Sequence, residues 1–500
     1  MFNKRIFNMI GYVLLFLGIS MFFSAIWSYL DNSDDLEAIL CSILITSGFG
    51  VLLILLTQLK ITKIFPYLSF KDRDKLDLSH RDGYTLVSLS WIMMAVFSAL
   101  PFYLYGDPFG SYVDSFFESI SGLTTTGSSI LSAQDYSNIP RGLMFWRSFT
   151  HFIGGIGIIV FSIAILPLMG FGGVQLFRAE VAGPVADKLT PRIKQTAKLL
   201  WSIYFGLIIA ETLILLIEGL PLYDSLTHAF ATMATGGFST NGDSIASYPS
   251  IVQYTMILFM ILAASSFSLH FLAFRKGRIE YFKDQEFKVY AAIMIVFTLV
   301  FFTDNYLVNF FKSGNFEEGF RNSLFTSVSL LTTTGFSTAD YQEWGYTSQT
   351  MVFVLLFIGG CAGSTTGGIK IIRTILVFKF LIRELKKLIH PKGVFKIKIG
   401  SKKVSEEIVH NTVGFYLFYI FIFVFAAIIF ACLGLNFNTA LSVSASAIGN
   451  IGPGLGDIGP SSNWANIGVP AKLLASFLML LGRLEIFTVM LLFSGGFSKK

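Results

Sequence analysis

Four short motifs that end in glycine recur about 100 residues apart along this chain, and their residue types suit the coordination of a cation. They read TTTG at Thr124–Gly127, ATGG at Ala234–Gly237, TTTG at Thr332–Gly335 and GNIG at Gly449–Gly452. Rings of backbone carbonyl oxygens can replace the hydration shell of a cation. Each motif follows a short apolar stretch and precedes a long apolar run. The pattern therefore predicts a cation pathway lined by four internal repeats of one chain.

The residue types within the motifs fit such a filter. Glycine allows backbone angles that turn carbonyl groups inward, and β-branched threonine stiffens an extended strand and adds a hydroxyl. A short helix whose C-terminal end points at the pore adds partial negative charge there. We expect K+ to bind to these filter residues: Thr125, Thr126, Gly127, Ala234, Thr235, Gly236, Thr333, Thr334, Gly335, Asn450, Ile451 and Gly452.

The composition places these motifs in a membrane. The chain has 500 residues, of which 53% are hydrophobic and 14% are charged, whereas soluble domains are about a quarter charged. Apolar runs long enough to cross about 30 Å of hydrocarbon recur throughout. The net charge of +6 is concentrated in alternate loops, which is typical of cytoplasmic loops and argues against nucleic-acid binding.

The spacing of apolar runs predicts an all-α membrane protein with ten spanning helices and four half-helices that re-enter the membrane. Irregular backbone at this depth must line a cavity or lie within protein, which favours four pore loops around one central pore. Loop charges predict that both chain termini are cytoplasmic. The predicted units are an N-terminal two-helix hairpin at 1–60 and repeats at 61–197, 198–284, 285–408 and 409–500.

The third exiting segment carries a glycine-rich interruption. Thr350–Leu381 has 32 residues when both ends are counted, and a straight helix of that length would be about 48 Å long, more than the membrane core needs. Two interpretations stay open, an intramembrane gate or close helix packing through small residues. A phosphate-binding loop does not fit, since no Gly-Lys-Ser/Thr sequence is present. The candidate gate residues are Gly359, Gly360, Gly363, Ser364, Thr365, Thr366, Gly367 and Gly368.

Arg483 lies in the middle of the last apolar run. An arginine at this depth is costly and usually faces a pore or a partner. Two hypotheses follow, a positive barrier below the filter that belongs to the gate, or a structural ion pair with a carboxylate on another helix. Glu485 is two positions away and does not share a helix face with Arg483.

Six motifs make the sequence similar to the Trk/Ktr/HKT superfamily of potassium transport proteins. They are SGLTTTG at Ser121–Gly127, ATGGFST at Ala234–Thr240, LTTTGFST at Leu331–Thr338, GGCAGSTTGG at Gly359–Gly368, NIGPG at Asn450–Gly454 and GRLEIF at Gly482–Phe487. The resemblance implies four M1–P–M2 repeats, a homodimer and a cytosolic nucleotide-binding regulator of the TrkA type. It carries the family's filter glycines over to Gly127, Gly236, Gly335 and Gly452, and the N-terminal hairpin matches the Trk branch.

The resemblance also bears on the ion. In plant relatives a serine at the first filter position accompanies sodium transport, so Gly127 favours potassium, while the fourth motif lacks the threonine hydroxyl. The leading hypothesis is potassium uptake across the bacterial cytoplasmic (inner) membrane. The alternatives are sodium-permeable or sodium-coupled transport, or the ion-conducting subunit of a pump. We expect surrounding membrane lipid, no cofactor other than the transported K+, and no enzyme activity, because no hydrolase motif is present.

Overall fold

The structure is a computed structural model that describes residues 4–58, 80–160, 193–313, 316–400 and 402–493. Apart from one small hairpin, the regular secondary structure of the described chain is helical, which confirms the predicted all-α membrane protein. Six of the described helices are long and apolar enough to cross a membrane, and a bent pair makes a seventh. The chain termini, the 60/61 boundary and residues 161–171 of the first exiting run lie outside the described residues.

The N-terminal hairpin consists of α1 (Lys4–Asp31) and α2 (Leu36–Gln58). Their axes approach closely because small residues face each other: a Cβ on Gly11 would press against the carbonyl oxygen of Gly50 at 2.8 Å. The hairpin packs on the first repeat, where Ser24 Oγ donates to Gly142 O at 2.5 Å. The two added helices are therefore fixed to the repeats rather than separate from them.

Each repeat contains an entering helix, a short pore helix and an exiting helix or helix pair. The entering elements are α3 (His80–Ser98) with α4 (Leu100–Tyr105), α7 (Ile193–Ile217), α12 (Gln285–Ser313) and α16 (Glu406–Cys432). The pore helices are α5 (Tyr112–Leu123), α8 (Leu222–Met233), α13 (Phe316–Leu331) and α17 (Phe437–Gly449). The repeat boundary at 284/285 coincides with the start of α12, whereas those at 197/198 and 408/409 fall inside α7 and α16.

The pore helices begin at residues that favour helix starts. Ser111 caps α5 in a capping box with Asp114, and the Asn436 side chain accepts a hydrogen bond from Thr439 N at 2.9 Å to cap α17. Pro221 precedes α8 and fixes the backbone angle there. The first three pore helices end directly before their filter motifs, and α17 ends at Gly449, the first residue of the fourth motif.

The exiting helices are more interrupted than the sequence indicated. They are α6 (Arg141–Val160), α9 (Ser250–Ala263) with α10 (Phe267–Lys276), α14 (Tyr346–Leu355) with α15 (Ile371–Ile389), and α18 (Val469–Arg483) with α19 (Ile486–Phe493). The second bends by 98° at its break and is followed by a short helix, α11 (Ile279–Lys283). The fourth breaks at Glu485, whose φ is +58°. The predicted break in the third segment is present, and the further breaks at Ala264–Ser266 and Leu484–Glu485, which carry no glycine signal, were not predicted.

The only sheet among the described residues is a hairpin between α15 and α16. Its strands are β1 (Lys398–Ile399) and β2 (Lys402–Lys403), paired antiparallel with Ile399 opposite Lys402. Ile397, next to the first strand, is buried against Leu376, Ile408 and Val409. This apolar cluster anchors the hairpin to the helices on either side of it.

Candidate ion pathway

The four pore helices end in the same backbone structure. At each end, one N–H bonds three residues back and the next bonds five residues back, for example Thr125 N to Gly122 O at 3.0 Å and Thr126 N to Ser121 O at 2.9 Å. This is the Schellman arrangement, which needs one residue in the left-handed region. That residue is Thr125, Thr235, Thr333 or Asn450, with φ between 50° and 55°. A left-handed threonine is rare, so the surrounding structure must hold it in place.

The four filter segments close into a ring. A Cβ built on Gly127 would collide with the carbonyl oxygen of Gly236, and one on Gly237 with that of Thr334. A Cβ on Gly335 would collide with the carbonyl oxygen of Ile451. The fourth segment returns to the first, since a Cβ on Gly452 would lie 2.6 Å from Thr126 O. Each repeat thus contacts the next in cyclic order, and only glycine leaves room for the neighbouring carbonyl.

In the second filter segment, the glycine that lies in the ring differs from the one predicted. The glycines with positive φ are Gly127, Gly237, Gly335 and Gly452, at 79°, 81°, 82° and 97°. Gly236 instead bonds five residues back to Ala231 O, as Thr126 does to Ser121 O. The assignment of the filter glycine to Gly236, with Ala234 as the first member, is therefore one residue early. The shared GFST of the second and third motifs would have aligned Gly237 with Gly335.

A polar cavity of about 110 Å³ opens above the ring. It is lined by the four ring glycines and by Arg147, which sequence analysis did not single out. Arg147 is buried and pairs with Glu118 at 2.5 Å, while its Nη1 donates to Ser239 O at 3.0 Å. A buried pair of this kind needs further hydrogen bonds, and Glu118 receives them from Ser129 and Ile130. The pair links the first repeat to the second beside the ring.

On the other side of the ring, the break in the third exiting segment is a loop. We name Leu356–Lys370 the intramembrane loop. Its ends are pinched together, because Gly359 N donates to Ile369 O at 2.9 Å and Ile369 N to Phe357 O at 3.2 Å. The alternative of close packing between continuous helices is therefore wrong, since the glycine-rich residues are not helical.

The loop contacts the second repeat and the filter segment of its own repeat. Thr365 Oγ1 donates to Met233 O at 2.9 Å, at the end of the second pore helix. Gly367 N donates to Thr333 Oγ1 at 2.8 Å, in the third filter segment. Cys361 N donates to Ala264 O at 2.9 Å, at the break of the second exiting helix. The remaining candidate gate residues, Gly359, Gly360, Gly363, Ser364, Thr366 and Gly368, belong to the same loop.

Arg483 ends α18 beside this loop and is 3% exposed. Its Nη1 donates to Thr365 O at 2.6 Å, and its Nη2 donates to Gly154 O at 3.3 Å on the first exiting helix. The ion-pair hypothesis requires a carboxylate partner for Arg483. No such partner is found among the described residues. Glu485 instead pairs with Arg373 at 3.0 Å. Arg483 therefore joins the first and fourth repeats to the loop of the third.

No group of three or more His, Cys, Asp or Glu side chains that could hold a metal ion occurs in the part of the chain described. The oxygen atoms around the ring are carbonyl and hydroxyl groups, the ligands suited to a hard monovalent cation rather than to a transition metal. The arrangement thus offers a narrow ring of oxygens between a polar cavity and an intramembrane loop.

Comparison with known proteins gives a family with the same layout. A family model described as TrkH, cation transport protein, matches residues 52–499. The chain is 36% identical to the Trk system potassium uptake protein TrkH of Halomonas elongata over 99% of both chains. It is 38% identical to the protein of that name from Vibrio parahaemolyticus, over 85% of this chain and 87% of the relative.

The fold agrees as well. The crystal structure of the potassium transporter TrkH from Vibrio parahaemolyticus matches with a TM-score of 0.86 at 32% identity, over 99% of both chains. A helical membrane protein with four pore loops is the class that the fold defines. The chain belongs to the TrkH family of cation transport proteins.

Proposed function

We propose that this protein takes up potassium across the bacterial inner membrane through the filter ring. The observation that supports this most is the cyclic contact of Gly127, Gly237, Gly335 and Gly452 with the carbonyls of the next repeat. A closed ring of carbonyl oxygens replaces the hydration shell of a monovalent cation without needing a carboxylate. The relatives named as potassium uptake proteins favour K+ over the sodium alternative.

The intramembrane loop is the gate of this pathway, with Arg483 as part of it. The loop is hydrogen-bonded to the third filter segment through Gly367 and to the second pore helix through Thr365. A guanidinium held beside the loop tip repels a cation that leaves the ring. Conduction then requires the loop and Arg483 to move together.

The proposal also covers the regulation of the protein, its oligomeric state and its orientation in the membrane. A cytosolic nucleotide-binding regulator of the TrkA type controls the loop, the protein is a homodimer in lipid, and both termini are cytoplasmic. The regulator supplies nucleotide binding, because the chain itself contains no phosphate-binding loop sequence.

Potassium flux into liposomes that contain only this chain tests the pathway. We expect passive K+ flux with a reversal potential that follows the K+ gradient in mixed K+ and Na+. A chain that assembles correctly but conducts neither ion would be a pump subunit rather than a pore. A reversal potential that follows Na+ would replace potassium with sodium as the transported ion.

Deletion within the intramembrane loop tests the gate. Shortening Gly359–Gly368 removes the residues that contact Thr333 and Met233, so basal flux should rise and the effect of a regulator should weaken. Folded protein with unchanged flux after this deletion would show that the loop does not obstruct the pathway.

A further inference from the structure

Glu286 bridges the middle of the intramembrane loop and the first turn of the helix that follows it. It lies in the first turn of α12, a helix that contributes no residue to the ring, and is 8% exposed. Its Oε1 accepts a hydrogen bond from Ala362 N at 2.8 Å, on the way into the loop tip. The same oxygen accepts from Ile372 N at 3.1 Å, just after the loop. One carboxylate oxygen is thus bonded to both Ala362 and Ile372, which flank the second half of the loop.

This contact also completes the start of α15. The first N–H groups of a helix have no partner within the helix, and the residue before α15, Lys370, provides no side-chain cap. Glu286 supplies that acceptor from another helix, and a carboxylate at a helix N-terminus is favoured by the helix dipole. The helix that follows the loop is therefore positioned by the same group that holds the loop.

The neighbouring residue connects this site to the basic hairpin Lys398–Lys403. Gln285 Oε1 accepts from Gly400 N at 2.8 Å, at the turn of that hairpin. It also accepts from Lys379 Nζ at 3.2 Å, and Lys379 donates to Lys398 O at 2.5 Å. Two consecutive side chains therefore contact the hairpin and the loop respectively.

We propose that Glu286 is a positioning residue that holds the intramembrane loop closed, and that Gln285 makes this hold depend on the basic hairpin. The proposal rests on the proposed gate function of the loop. Displacement of the hairpin would pull on Gln285, shift the start of α12 and weaken both hydrogen bonds of Glu286. The hairpin is then the surface element through which the gate is controlled.

Cys361 reports directly on the loop. The chain has three cysteines, and Cys361 is buried in the loop whereas Cys41 and Cys432 are exposed. In a C41S/C432S background, a water-soluble maleimide labels Cys361 only when the loop opens. Labelling rate and K+ flux in liposomes are measured on the same full-length, monodisperse protein.

Glu286→Ala should raise the Cys361 labelling rate about tenfold or more, the factor expected when hydrogen bonds to a charged acceptor are lost. Glu286→Gln keeps an oxygen that can accept both bonds, so labelling should stay within about twofold of the parent. Glu280→Ala, which removes a carboxylate that forms an ion pair with Lys283 in the neighbouring short helix, is the matched control and should have no effect. Glu286→Asp, one methylene shorter, replaces Glu286→Ala should that variant fail to fold.

The outcomes separate this proposal from the gate itself. Faster labelling with unchanged flux supports Glu286 as the residue that holds the loop, and shows that the loop is not the gate. Unchanged labelling in folded Glu286→Ala and Glu286→Asp overturns the role of Glu286, even if loop deletion raises flux. Equal effects of Glu286→Gln and Glu286→Ala would also overturn it.

A double-mutant cycle tests the hairpin connection. Gln285→Ala and Lys379→Met each remove one side of the contact and should each raise labelling, while the double variant should be no faster than the faster single one. Additive effects, or no effect of either, would overturn the dependence on the hairpin.

Discussion

The first and third filter segments have the same sequence, Thr-Thr-Thr-Gly, and the same backbone structure, but different surroundings. Thr125 and Thr333 have φ values of 50° and 52°, and both segments bond back to a serine carbonyl. Thr333 Oγ1 accepts a hydrogen bond from the intramembrane loop, whereas Thr125 Oγ1 is buried without a partner in the described structure. Identical local sequence therefore produces the same backbone geometry, while tertiary contacts decide which copy is bonded to the intramembrane loop.

The largest effect should come from substituting the filter glycine, which lies in the same position in the first and third segments. Gly127→Ala and Gly335→Ala each place a methyl group against the next repeat's carbonyl, in a backbone conformation that alanine rarely adopts. We expect either variant to lose most K+ over Na+ discrimination, and Gly127→Ser to do the same. Bi-ionic reversal potentials measure this. A variant that folds and keeps parental selectivity would remove that glycine from the filter.

Arg483→Ala should have the next largest effect. It changes the side of the filter ring on which the intramembrane loop lies. A guanidinium about 4–8 Å from a passing cation, at an effective dielectric near 20, repels it by roughly 2–4 kcal/mol. Removing it should raise K+ flux by about one to three decades, whereas Arg483→Lys should stay near the parent. The measurement is flux through monodisperse protein. Equal or lower flux in well-folded Arg483→Ala contradicts a positive barrier.

Thr333→Val and Thr125→Val separate the two copies. Valine has nearly the same shape but lacks the hydroxyl that accepts from Gly367. Losing one hydrogen bond of about 1 kcal/mol should make loop opening about fivefold more frequent in Thr333→Val. Thr125→Val should leave opening unchanged, since its hydroxyl does not contact the loop. Labelling of Cys361 compares the two, and equal rates would mean that the loop bond does not hold the gate.

The smallest effect should distinguish Ser329 from its counterpart Ser121. Ser329 Oγ donates to Phe336 O at 2.6 Å and so fixes the segment after the third filter, whereas Ser121 Oγ has no partner within the described chain. Ser329→Ala should lower stability by about 1 kcal/mol, and Ser121→Ala by much less. Thermal unfolding in detergent compares them. A larger loss in Ser121→Ala would contradict this difference.

Sequence patterns predicted the repeated features well because those features are local. The pore helices follow from the short apolar stretches before the filter motifs, and the glycine-rich break follows from poor helix propensity in Gly359–Gly368. The breaks at Ala264–Ser266 and Glu485 were missed because no local signal marks them. At the first of these, the loop's own backbone bonds to Ala264 and Phe267.

The predicted site was incomplete where it depends on contacts between distant segments. Within the second motif alone, either of the adjacent residues Gly236 and Gly237 fits the position of the filter glycine, and Gly236 was chosen. The partners of Arg483 are carbonyl groups of Thr365 and Gly154, more than 100 residues away in sequence, and carbonyl groups leave no trace in residue type. Glu118, Arg147 and Glu286 were missed for the same reason.

Among the described residues, an intramembrane loop of this kind occurs in one repeat, and under the proposed gate function this has a kinetic consequence. A pore made of four identical subunits would carry four copies of any obstruction, and opening would require several of them to move in concert. In the proposed pathway the obstruction is a single intramembrane loop of the third repeat, bonded to the third filter segment and the second pore helix. Opening is then one molecular event, so single-channel closed times should follow one exponential rather than the sigmoidal delay of a multistep process.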